Sequence, residues 1–397
     1  MSLLQGPVVF IDDQIADQTK SAYQLKEHIR ATGRPIAEYR DLPPIEQARH
    51  WRSIAFLVLD WDLVPGSPGA LGASTLSDFQ RQELFTWLES FIDQIFCPIF
   101  VISAEDVDDI RRQIDESNTL QRVMSTGRLA VFSKDSLMED FLGHLENWVS
   151  SSPALAALNI WANEYERATD RLFQDMEQLE SDWPAYVWKT ATEDGVDPSY
   201  ELATVISANL LHRIDVVQFD VPAITEFSSN SSQAMRRVTQ GRTVLPKERL
   251  YETMVLPGDL FEGEDDNEVW VNITPACHTV LNRHTNAVGA PDPDGVALHL
   301  VRGVRLAMPT SSSSFKALKN RHDGPNGMLI HALFGDAPYA FSFRTQRLTT
   351  WGEIAHKRIG RLLPPYITLL QQRNAAYLMN EGVPRVSFEL YGGAAPT

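Results

Sequence analysis

The sequence has little of what would cross-link a chain or hold it in a membrane. Among 397 residues there are two cysteines, Cys97 and Cys277, far apart along the chain. That scarcity argues against a disulfide framework and predicts a reducing, cytoplasmic setting. No stretch approaches the ~20 uninterrupted apolar residues that span a bilayer, so no membrane role is expected. The opening residues, Met1 to Pro7, lack a basic segment leading into an apolar one, and no signal peptide is expected. Several chemistry-bearing motifs are also missing. The glycine turns Gly289–Gly295 and Gly324–Gly327 lack the G-x-x-x-x-G-K-[ST] order of a phosphate loop. There is no G-x-S-x-G elbow, no H-E-x-x-H pair, no convincing repeat and no helix-turn-helix pattern. The acidic run Glu262–Glu268 lacks EF-hand spacing and reads as a solvated loop.

What is present is core material: 43% hydrophobic residues, 9 Trp and 18 Phe, enough for two or three globular domains. The net charge of −17 argues against general nucleic-acid binding, but it is unevenly spread. Residues 1–150 hold 13 Lys/Arg against 23 Asp/Glu, whereas residues 301–361 hold 10 against 3. The basic stretch reads either as a solvated surface or as a face for an anionic partner.

Residues 7–150 alternate short apolar runs with helical patterns. Strands are expected at Val8–Ile11, Ile36–Tyr39, Ala55–Asp60, Pro98–Ser103 and Leu129–Phe132. Helices are expected at Ala16–Thr32, Pro44–Trp51, Ser77–Phe96, Val107–Ser117 and Leu137–Trp148, with a loop over Pro65–Thr75. Such alternation implies a parallel sheet flanked by helices. Ser150-Ser151-Ser152-Pro153 marks a break, giving an α/β domain over 1–150 and a mostly helical linker or dimerisation region over 151–250. Residues 251–397 read as a smaller, β-rich domain with terminal helices, Trp351–Leu363 and Tyr366 to about Glu381.

The apolar runs of the first domain end in a distinctive set of polar residues. The first ends in Asp12-Asp13, the third in Asp60, the fourth in Ser103 and the fifth in Ser133-Lys134. In an open parallel sheet, the carboxyl ends of the strands line the ligand crevice. Asp12, Asp13 and Asp60 supply hard oxygen ligands for Mg²⁺, and the backbone carbonyl of Asp62 offers another. Asp60 can also attack phosphorus, with Asp62 as the alternative acceptor because two residues along a strand restore the same side. Lys134 supplies a point charge and Ser103 a hydroxyl for phosphoryl oxygens.

In this order, Asp12-Asp13, Asp60, Ser103-Ala104 and Lys134 resemble the receiver domain of response regulators over residues 7–149. The resemblance implies a five-stranded flavodoxin-like domain, Mg²⁺-dependent phosphorylation of Asp60 and a histidine kinase or phosphotransfer protein as donor. The chain departs from the family pattern at Asp135, where proline is usual. It also has Phe132, not Val131, as the aromatic just before Lys134. The alternative is a receiver fold without phosphorylation, serving as a scaffold in a bacterial defence or regulatory complex. Leu256-Pro257-Gly258-Asp259, followed by the segment Trp270–Cys277, loosely resembles SH3-like barrel segments. A protein partner or self-association is expected for the C-terminal region. Cys277-His278, with His284 nearby, is read as packing rather than as a nucleophile or zinc site. Trp161, Trp183 and Trp188 are read as core.

Overall fold

A computed structural model describes residues 6–48, 50–51, 54–63, 78–104, 106–134, 141–226, 231–286, 289–335 and 337–379. The expected loop over Pro65–Thr75, Asp135, and the ends of three expected helices (Ser77, residues 137–140 and residues 380–381) lie outside them. The chain divides into two compact units: Met1–Ser181 with Ile206–Ser228, and Asp182–Val205 with Ser229–Thr397.

The first unit is built on five strands, β1 Val8–Ile11, β2 Ile36–Tyr39, β3 Phe56–Asp60, β4 Ile99–Ser103 and β5 Leu129–Ser133. They pair in parallel in the order β2-β1-β3-β4-β5, which is the flavodoxin-like doubly wound order. Its helices are α1 Ser21–Ala31, α2 Ile45–Ala48, α3 Asp78–Gln94, α4 Val107–Ile114, α5 Asn118–Ser125, α6 Phe141–Ser151 and α7 Pro153–Leu179. Because both faces are covered, the inner strands β1, β3 and β4 are buried along their length and apolar up to the polar residues that end β3 and β4, and strand residues divide alternately between two cores. Val9, Ile11, Leu57, Leu59, Val101 and Val131 pack towards α2 to α5. Val8, Phe10, Phe56, Val58, Phe100 and Ile102 pack towards α1 and α6. Among the described residues, no helix is long and apolar enough to cross a membrane.

Two helices differ from expectation for local reasons. The helix expected from Ala16 begins only at Ser21, because the Asp17 carboxylate accepts the backbone N–H and hydroxyl of Thr19 (3.0 and 2.8 Å). Such local bonds compete with helix formation. The helix expected to run to Ser117 stops at Ile114: α4 starts on an Asp106 cap (2.8 Å to Asp108 N), and Ser117 instead caps a further helix, α5 (3.2 Å to Leu120 N).

In the second unit, α8 Trp183–Glu193 and the start of α9 Pro198–Leu211 accompany a seven-stranded antiparallel sheet. Its strands are β6 Val244–Pro246, β7 Asp259–Glu262, β8 Glu268–Asn272, β9 Ala297–Arg305, β10 Gly327–Ile330, β11 Tyr339–Thr350 and β12 Arg358–Leu362. They lie in the order β10-β11-β9-β8-β7-β12-β6, so the β-rich expectation holds. Short α10 Pro222–Thr225 belongs to the first unit; α11 Ser232–Thr243, α12 Ser312–His322, α13 Trp351–Ile354 and α14 Tyr366–Leu378 complete the second. The expected Trp351–Leu363 helix is corrected to α13, a 3₁₀ turn and strand β12. Residues 227–246, weakly patterned in sequence, contain α11, capped by Ser231 on Ala234 N (3.2 Å).

Gly258 shows how tightly β7 and β12 meet. It has φ +93°, and a Cβ there would lie 2.3 Å from the Leu362 carbonyl oxygen. Gly258→Ala is expected to destabilise the second unit by about 3 kcal/mol. Hydrogen exchange of the β7 and β12 peptides reads this; a loss below ~1 kcal/mol would show that β12 gives way.

Candidate phosphoacceptor site

The order β2-β1-β3 makes the gap between β1 and β3 the switch point at which chain connections leave in opposite directions, and ligand crevices open there. Asp12 follows β1 directly and Asp60 ends β3. Ser103 ends β4 and Lys134 follows β5, so the four strand ends bring the predicted residues to the same edge of the sheet. Asp12, Asp60, Ser103 and Lys134 are buried and Asp13 is half-buried.

One ammonium ties two of the acids together. Lys134 Nζ donates to Asp12 Oδ2 at 3.1 Å and to Asp60 Oδ2 at 2.8 Å. Asp12 Oδ1 accepts the Gln14 N–H at 2.8 Å, and Asp60 Oδ1 accepts the Asp62 N–H at 3.1 Å. Each of Asp12, Asp13 and Asp60 offers a carboxylate oxygen, all within 4.8 Å of one another. Three carboxylates face one cation, so the cluster carries an excess of negative charge. Burial, then the Asp12 charge, pushes the Asp60 carboxyl well above the ordinary carboxylate range, against the opposing pull of Lys134. Burial and Asp12 likewise raise Asp13. Burial works against the charge on Lys134, but Asp60 and Asp12 outweigh it and hold the ammonium above its ordinary value. Such a set fits a divalent cation in both charge and donor type: oxygen ligands only, spaced closely enough to share one ion.

Besides the backbone carbonyl expected as a metal ligand, Asp62 contributes its side chain. Asp62 Oδ2 accepts the Ser103 hydroxyl at 2.9 Å and the Ala104 N–H at 3.1 Å. Between Asp60 and Asp62, the Trp61 ring is buried, donates to Gln113 Oε1 at 3.1 Å and packs on Phe85, which fixes the path of this turn. Ser103-Ala104 is visible in the sequence, but which anion its donors meet is set by the turn after β3. Alternation along β5 separates the two residues before Lys134. Val131 joins the core under α3 to α5, and Phe132 faces the other side, against Phe100 and His144.

Among the described residues, the other candidates do not assemble a comparable site. Cys277 and His278, read as packed, are both exposed, in the turn Ala276–His278; Cys277 lines a cavity of about 380 Å³ beside Arg283. Trp183 is buried as expected, whereas Trp161 and Trp188 are exposed. Cys97 is buried beneath the parallel sheet, and burial pushes its thiol up to about 12, so it is chemically inert. No family model matches the sequence, and no curated protein matches it.

Proposed function

We propose that the first unit is a receiver that accepts a phosphoryl group on Asp60, in a bacterial cytoplasmic protein of the two-component or phosphorelay type. The observation that carries this reading is the convergence of Asp12, Asp13 and Asp60 around a single Lys134 at the switch point of a 2-1-3-4-5 parallel sheet. Asp12, Asp13 and Asp60 would hold Mg²⁺, with the Asp62 carbonyl as a further ligand. Bound there, the ion would supply charge neutralisation between two anions. Ionised Asp60 forms a bond to phosphorus as the donor's bond to phosphorus breaks; with a phosphohistidine donor, the freed imidazole takes a proton from solvent. Lys134 donates to one phosphoryl oxygen and Ser103 to another. Burial and the Asp12 charge raise the Asp60 carboxyl and Lys134 opposes them, so positive charge beside Asp60 favours the ionised acceptor. A histidine kinase or phosphotransfer protein is the donor on this reading. The helical segments and the antiparallel unit would relay the signal to a partner or to a second copy, or the phosphoryl group is simply absorbed.

One observation favours a second reading, a scaffold without phosphorylation: the Asp62 carboxylate already occupies the donors of Ser103 and Ala104. Incubation of the full chain with acetyl phosphate and Mg²⁺, read by intact mass, separates the two. The expected result is one phosphoryl adduct on the wild type and none on Asp60→Asn. An adduct that persists in Asp60→Asn would move the acceptor elsewhere, with Asp62 the first alternative. Partner binding that is indifferent to Asp60→Asn would favour the scaffold.

A further inference from the structure

We propose that Asp62 is a built-in occupant of the phosphoryl-oxygen subsite, so that its side chain must leave before Asp60 can be phosphorylated; this rests on the receiver reading above. A serine hydroxyl has one proton to give and a backbone amide has one. Both are spent here on a single atom, Asp62 Oδ2, at 2.9 and 3.1 Å. A phosphoryl oxygen held by Ser103 needs that same proton, so the Asp62 carboxylate and the phosphoryl group exclude each other. Charge adds to the competition. The Asp62 carboxylate, on the residue whose N–H bonds Asp60 Oδ1 at 3.1 Å, would repel an incoming dianion.

The geometry also supplies a route out. Asp62 is half-buried, whereas Trp61 beside it is locked by packing and by its bond to Gln113. The backbone of the turn is therefore held while the side chain of Asp62 is short, half-buried and has two rotatable bonds. Rotation of that side chain frees both donors without moving β3 or β4. A small phosphodonor has to compete with a tethered carboxylate, and a protein donor that draws Asp62 outwards removes the competitor. Acceptance would thereby be gated in favour of the protein donor.

Mg²⁺-dependent binding of beryllofluoride to the full chain, followed by fluorine NMR, tests this in wild type, Asp62→Ala, Asp62→Asn and Asp60→Asn. Asp62→Ala is expected to bind at least tenfold more tightly than wild type. Asp62→Asn should fall between them, because its amide oxygen still accepts both bonds without the charge, and Asp60→Asn should not bind. Equal affinity in wild type and Asp62→Ala, with Asp60→Asn still inactive, would overturn the occupant and leave the Asp60 reading standing. Weaker binding by Asp62→Ala would make Asp62 part of the binding site and overturn the proposal as well. Absence of binding in every variant would overturn both readings.

Discussion

Replacing Lys134 with methionine is expected to destabilise the parallel-sheet unit by about 3–5 kcal/mol at neutral pH when divalent cations are chelated. The ammonium bridges Asp12 and Asp60, at 3.1 and 2.8 Å, and both carboxylates are buried. Without it, two acids remain with no compensating charge, and the low-dielectric surroundings leave their repulsion largely unscreened. The pH dependence follows from the directions of the shifts. The Asp60 carboxyl is raised, so its contribution to stability is fully present below the ordinary carboxylate value and is lost as pH rises through the raised one. Removing Lys134 takes away a lowering influence, so the deficit of the variant should shrink on acidification as the carboxylates take up protons. Lys134 is itself raised, so its favourable contribution in the wild type is present below the ordinary lysine value and is lost only at more alkaline pH. Mg²⁺ should restore part of the loss. In the wild type, a ligand at a hundredfold excess over its Kd stabilises by about 2.7 kcal/mol. Hydrogen exchange of the β1, β3 and β4 peptides, with and without Mg²⁺, reads each of these changes. A variant within ~1 kcal/mol of wild type in chelator would show that the carboxylates are already neutral and that Lys134 is not their counter-ion.

The legible part of this molecule is the part in which local pattern and global fold agree. Four apolar runs ending in Asp12-Asp13, Asp60, Ser103 and Lys134 predicted both a parallel sheet and an edge lined with those residues. A buried parallel strand has little freedom to do otherwise, because its sequence is apolar up to the point where it meets solvent. Three things were less legible. The role of the Asp62 side chain depends on the turn after β3 and on the Ser103-Ala104 donors one strand away, a relation spread across 41 and 42 residues. Helix α11 buries little apolar surface and rests on a serine cap, so hydrophobic spacing does not reveal it. The Arg358–Leu362 segment has helix-compatible spacing but forms a strand, because its inward residues Arg358, Gly360 and Leu362 each meet a partner that only an extended chain reaches.

That last override carries the second large effect: Asp259→Ala is expected to cost the antiparallel unit about 3–5 kcal/mol. Asp259 is fully buried at the start of β7, and its two oxygens serve three donors. Oδ1 accepts Arg361 Nε at 2.6 Å, and Oδ2 accepts the Leu256 N–H at 3.0 Å and a guanidinium N–H of Arg358 at 3.4 Å. Arg358, itself 4% exposed, also donates to the carbonyls of Met254 and Tyr251, both at 2.7 Å, and lies 5.1 Å from the Trp351 ring. One carboxylate thus ties β7 and β12 to the 251–256 segment, and two guanidinium groups lose their anion if it is removed. The arrangement is asymmetric. Arg358→Met leaves Asp259 paired with Arg361, and Arg361→Met leaves it paired with Arg358, so each arginine variant should cost less than Asp259→Ala. Asp259→Asn, which keeps an acceptor for Leu256 N, should also fall below the alanine variant. Unfolding of the four variants by urea, followed through exchange of the β7 and β12 peptides, gives the order. Equal costs for the aspartate and arginine variants would overturn Asp259 as the shared tie. The expected order would instead show Asp259 as the shared tie between β7 and the Arg358–Leu362 strand, in which Arg361 lies directly opposite Asp259.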